Sequence, residues 1–72
     1  MRLWRIENAN GTVYVQSLNE DRASAIARAA TGYPTMGTSP VQSGSTDGVP
    51  GAAIFTQTSS GIQRVGTISN PA

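Results

Sequence analysis

Trp4-Arg5-Ile6-Glu7-Asn8-Ala9-Asn10-Gly11-Thr12-Val13-Tyr14-Val15-Gln16-Ser17 decides the fold. Asn-Gly is the strongest short-range hairpin signal, because a type I′ turn needs positive φ at both central residues. With Asn10-Gly11 as the loop, Ile6 faces Val15, Arg5 faces Gln16 and Trp4 faces Ser17. One sheet face then collects Trp4, Ile6, Val13 and Val15, and the other Arg5, Glu7, Tyr14 and Gln16. Turn chemistry and hydrophobic alternation agree independently, and such agreement specifies a register. Asn10-Gly11-Thr12 also spells a glycosylation sequon, but no secretory signal accompanies it and a turn explains it.

Outward from this hairpin, at about 2–17, the next segment reads as a helix at about 18–31. Ser17-Leu18-Asn19-Glu20 fits a capping box with Ser17 as N-cap, and Asn19 is a rival. Ala23, Ile26, Ala27 and Ala30 form one stripe, mostly alanine, so the helix can lie close on the Trp4/Ile6/Val13/Val15 face. The predicted core is therefore Trp4, Ile6, Val13, Val15 and Ile26. Gly32 suits the left-handed position after the last turn.

From 32 to 51 the composition changes to glycine, proline, serine and threonine, with Asp47 the one charge. No periodicity survives, and loops this long are usually functional or disordered. The segment offers Tyr33, Met36, Val41 and Val49 as spaced apolar anchors, too few to order it alone. The expectation is a segment mobile in the free chain or ordered by a neighbour, with these four residues as partner contacts. Residues 52–68 read as a second β-hairpin around Ser59-Ser60-Gly61, with Phe55 opposite either Gly66 or Val65. Asn70-Pro71 reads as a terminal turn or frayed tail. The fold class is α+β: one small domain over 1–72, with an ordered hairpin–helix unit at 2–31, an extended loop and a second hairpin.

The totals narrow the function. A 72-residue chain without cysteine or histidine has no disulfide, no Cys/His zinc site and no imidazole acid–base chemistry. Five arginines face four acids, and lysine is absent. A net charge of +1 gives little steering toward nucleic acid. Glu20 and Asp21 suit a helix start, and Asp47 in Gly44-Ser45-Thr46-Asp47-Gly48 resembles a turn residue. No nucleophile has a base beside it, one acid does not make a calcium loop, and no phosphate loop is present. These features predict no enzyme, cofactor, metal site or membrane span, and no secretion signal is visible.

What remains is a structural or interaction protein that docks into a larger assembly, as many copies on a particle or as a homo-oligomer. In character, across the whole chain and without a specific motif, it is similar to the small accessory proteins of bacteriophage particles. That resemblance implies a virion location as a head-decoration or tail component, and otherwise the cytoplasm. Two alternatives stand beside it. One is a small nucleic-acid-binding or regulatory protein, using Arg5, Tyr14 and Gln16 on the polar hairpin face, with Arg2 close by in sequence. The other is an inhibitor of a host enzyme that makes contact through the loop.

Overall fold

Asn8, rather than Asn10, sets the first turn. In the computed structural model, which describes residues 1–69, β1 (Arg2–Asn8) pairs antiparallel with β2 (Gly11–Ser17), and Asn8 stands opposite Gly11. The loop is thus Ala9-Asn10, not Asn10-Gly11. The Asn8 side-chain oxygen accepts the Asn10 N–H at 2.8 Å, and Gly11 follows at φ 126°. This side-chain-to-backbone bond draws the turn one residue toward the N-terminus of the expected position. Ile6 consequently faces Val13, and Trp4 faces Val15. The slip changes each partner by two residues, so the side chains keep their faces and the predicted apolar face survives. The expected Asn70-Pro71 turn lies outside the described residues.

The second hairpin repeats the device. β4 (Ala53–Thr58) and β5 (Gly61–Thr67) close on Thr58 opposite Gly61. The Thr58 hydroxyl oxygen accepts the Ser60 N–H at 3.1 Å, and Gly61 sits at φ 112°. A side chain at Gly11 or Gly61 would be strained by these backbone angles, although space for it exists. Phe55 faces Arg64 rather than Gly66 or Val65, because a bulge leaves Val65 without an opposite residue.

Between the hairpins lies α1 (Glu20–Thr31). Ser17 stays in β2, and Asn19 caps the helix by accepting the Arg22 N–H at 2.9 Å. Gly32, left-handed at φ 79°, returns its N–H to the Arg28 carbonyl. The following residues depart from the expected loop: Thr35–Pro40 forms β3, antiparallel to β1. Thr35-Met36-Gly37-Thr38-Ser39-Pro40 has no apolar alternation, since the backbone ladder to β1 holds it rather than side-chain burial.

Among the described residues, five strands lie in the order β3-β1-β2-β4-β5. The hairpins join through a parallel contact between β2 and β4, over Tyr14–Ile54, Val15–Phe55 and Gln16–Thr56. The Thr56 hydroxyl reinforces it by donating to the Gln16 carbonyl at 3.0 Å. α1 covers one sheet face, where Trp4, Ile6, Val15, Ala23, Ile26 and Ala27 are buried and Val13, Phe55 and Ile62 pack against them. The Trp4 indole N–H donates to the Ser17 carbonyl at 3.1 Å. The opposite face holds a second cluster of Tyr14, Ala52 and Ile68, with Leu3, Val41, Val49 and Ile54 around it.

Trp4 therefore links β1, the end of β2 and the helix-side core. We expect Trp4→Ala to cost about 3–5 kcal/mol, as for other large core aromatics. A denaturant titration checks this: an unchanged midpoint would show that the indole carries none of the packing.

Candidate interaction surface

Residues 41–52 cross the sheet on the face away from α1. β3 leaves its ladder through the Val41 N–H, which donates to the Leu3 carbonyl at 2.9 Å. Over β1, the Arg5 guanidinium donates to the Asp47 carbonyl at 2.9 Å. Over β2, the fully buried Tyr14 hydroxyl accepts the Val49 N–H at 3.0 Å. The Ala52 carbonyl then accepts the Ile68 N–H at 2.8 Å, bringing the chain into β4. Short hydrogen bonds of this kind satisfy backbone groups that a buried loop would otherwise leave unpaired.

Arg5 is held for this role. Its Nε donates to Glu7 Oε1 at 2.7 Å, and Thr12 Oγ1 donates to Glu7 Oε2 at 2.8 Å. The Arg5 bond, with the Thr12 hydroxyl second, holds the Glu7 carboxyl below its ordinary value. The Glu7 bond holds Arg5 above its own. The turn expected at Asp47 lies earlier, at Ser43-Gly44, where the Ser45 N–H donates to the Gln42 carbonyl at 3.0 Å. The Asp47 carboxylate, instead of bonding its own backbone, takes the Ser45 hydroxyl, and the Asp47 N–H donates to Ser45 Oγ.

The four sequence-predicted contacts separate into two pairs. Val41 and Val49 are half-buried beneath this crossing, packed around Tyr14, Ala52 and Ile68. Tyr33 and Met36 are exposed, just before and within β3, with Met36 at 73%. Tyr14, offered by the sequence as a stacking residue for a base, is 0% exposed. That removes the aromatic on which the nucleic-acid alternative stood.

Other exposed apolar residues carry no motif. Leu18 is 68% exposed between β2 and α1, and Val65 is 50% exposed at the β5 bulge. Leu18 could have been suspected, since it precedes a helix cap without a large residue opposite it in the first turns. Val65 could not, because its exposure depends on a register the sequence leaves open. A cleft of about 240 Å³ runs beside α1, lined by Arg22, Ala25, Ile26, Gln57 and Ile62. A second, of about 170 Å³, lies at the adjoining end of the sheet among Met1, Ser17, Leu18, Ile26 and Thr56. Both lie on the β4–β5 side of α1, which packs more closely against β2 and β3 than against β4 and β5. Among the described residues, no group of three or more acidic, histidine or cysteine side chains is placed to hold a metal ion, and no helix is long and apolar enough to cross a membrane.

Two predictions test the crossing segment. Tyr14→Phe removes the acceptor for the Val49 N–H while keeping the ring, and should cost about 1–3 kcal/mol. Amide exchange at Val49 should quicken more than at Ile6; equal protection at both would show that the hydroxyl does not hold the segment. Because Glu7 is depressed in the folded state, its contribution is present above the unfolded carboxyl pKa. It is lost as pH falls through the lower folded value. The acid limb of a stability–pH curve should therefore flatten in Glu7→Gln, and a limb identical to wild type would exclude Glu7 as its source. Exposure keeps this effect small and salt-sensitive.

Comparison with protein-family models, curated proteins and solved structures finds no match for this chain, so its functional reading rests on the surfaces described above.

Proposed function

We propose that the chain is a non-enzymatic interaction protein that docks into a larger assembly. The supporting observation is the state of its two outermost strands. Among the described residues β3 and β5 each have a strand neighbour on one side only, and each carries an exposed apolar side chain, Met36 on β3 and Val65 on β5. Unpaired strand edges are templates for association unless they are blunted or covered. Among the described residues both clusters are packed with apolar residues, and no buried side-chain polar atom lacks a hydrogen-bond partner. A particle-borne role, such as a head-decoration or tail component of a bacteriophage virion, is the setting we propose for such a domain. The compositional resemblance is its support.

The test is direct. Chain recovered from its source under native conditions, then cross-linked and sized by light scattering and native mass spectrometry, should appear in stoichiometric association with another component or with many copies of itself. A solitary monomer at its natural concentration would overturn the proposal.

A further inference from the structure

The two sheet edges are not equivalent, and the hydrogen-bond alternation shows why. In an antiparallel ladder, successive residues point alternately toward and away from their partner strand. The Val41 N–H points at β1, so Ser39 and Gly37 do as well, while Pro40 and Thr38 point outward. Proline has no N–H, and a bulge interrupts the β1–β3 register between Glu7 and Asn8. β3 therefore presents one regular outward residue, Thr38, between a proline and a bulge. These are the devices that blunt an edge.

β5 has no such protection over its first half. A two-residue turn closes on a hydrogen-bonded pair, here Thr58 and Gly61, so Gln63 also points at β4. Ile62 and Arg64 then point their N–H and C=O groups outward, away from every described strand. Ile62 packs toward the helix-side core, and Arg64, two residues on, lies on the same sheet face. Directly beside Ile62 is the cleft of about 240 Å³, with Ile26, Ala25 and Ile62 as its apolar walls and Arg22 across from the strand; Arg64 lies further along β5, outside its lining. Arg5–Glu7 is the one ion pair among the described residues, so Arg22 and Arg64 have no carboxylate partner there.

We propose that β5 accepts an extended, acidic segment of another protein as a sixth strand. An apolar side chain of that segment seats in the cleft between α1 and β5, and its carboxylates meet Arg22 and Arg64. Main-chain hydrogen bonds to Ile62 and Arg64 supply affinity, and the alternate side chains supply selectivity. A second copy of the chain is the poorer occupant. Antiparallel pairing of β5 with itself brings Arg64 opposite or diagonal to its copy, and like charges across a ladder repel. This inference rests on the chain being an interaction protein, and deepens that reading by naming its edge and its partner's chemistry.

The probe is a blocked hexapeptide of alternating glutamate and leucine, with a lysine–leucine counterpart, added to the isotopically labelled chain. The glutamate peptide should shift the Ile62 and Arg64 amides and slow their exchange, and the lysine peptide should not. Arg64→Glu and Arg22→Glu should each weaken binding by roughly tenfold, as loss of a charge-assisted contact does. Arg64→Pro deletes an outward N–H at a position where an edge strand tolerates proline, and should abolish the protection at Ile62. Equal binding of both peptides, shifts centred on Thr38 or Leu18, self-association that protects Ile62 and Arg64, or no binding at millimolar peptide would each overturn the inference. So would retention of a stoichiometric natural partner by Arg64→Pro, which leaves the broader interaction reading standing. Absence of any partner for the wild-type chain overturns that broader reading instead.

Discussion

The chain leaves its sheet at one edge and must re-enter it on the far side of two other strands. β3 lies outside β1, while β4 lies beyond β2. With α1 occupying one face, the return path runs over the other, where unpaired backbone amides would be costly to bury. The Tyr14 hydroxyl resolves the constraint by accepting the Val49 N–H from within the second core cluster. Arg5, fixed by Glu7, does the same work at the rim by donating to the Asp47 carbonyl. Each hairpin can form locally. Their union into one sheet depends on this crossing and on the short parallel contact between β2 and β4.

Two layers of different character result. The helix side is a packed interface of alanines against Trp4, Ile6 and Val15, where small side chains let the helix approach closely. The other side is a polar segment of chain lying on a tyrosine and a few aliphatic residues, held as much by named hydrogen bonds as by apolar area. A 72-residue domain without disulfides or metals has little core to spare. The second layer gives burial to Tyr14, Leu3 and Ile54, which would otherwise form an open apolar face.

The hairpin, the helix and the helix-side core were legible because hydrophobic alternation and the alanine stripe assign residues to faces, and a shift of the turn that changes every partner by two residues leaves those faces intact. Where two turn or cap signals competed, the sequence chose wrongly or not at all. Asn8 and Asn10 both suit turns, and the Asn8 side-chain bond decides between them. Ser17 and Asn19 both suit caps, and Ser17 is retained by β2 while its carbonyl receives the Trp4 indole. β3 was illegible because an edge strand held by backbone bonds needs no hydrophobic period. The four anchors at Tyr33, Met36, Val41 and Val49 looked alike in sequence. Their separation into exposed and half-buried pairs follows from where the return path touches the sheet, a long-range outcome that no window of residues encodes.

Pro40 has a consequence beyond its own strand. A small sheet with two receptive sides is a monomer for polymerisation: each addition exposes a fresh side identical to the last, and growth has no natural end. Here the proline at one end of β3 and the bulge at its other end close one side, while the bulge at Val65 curtails the other to its first half. Such a unit is univalent along the sheet direction. On the strand addition proposed at β5, it would finish a row of strands without extending one, and association through its backbone would saturate at a fixed ratio instead of running on into a fibre.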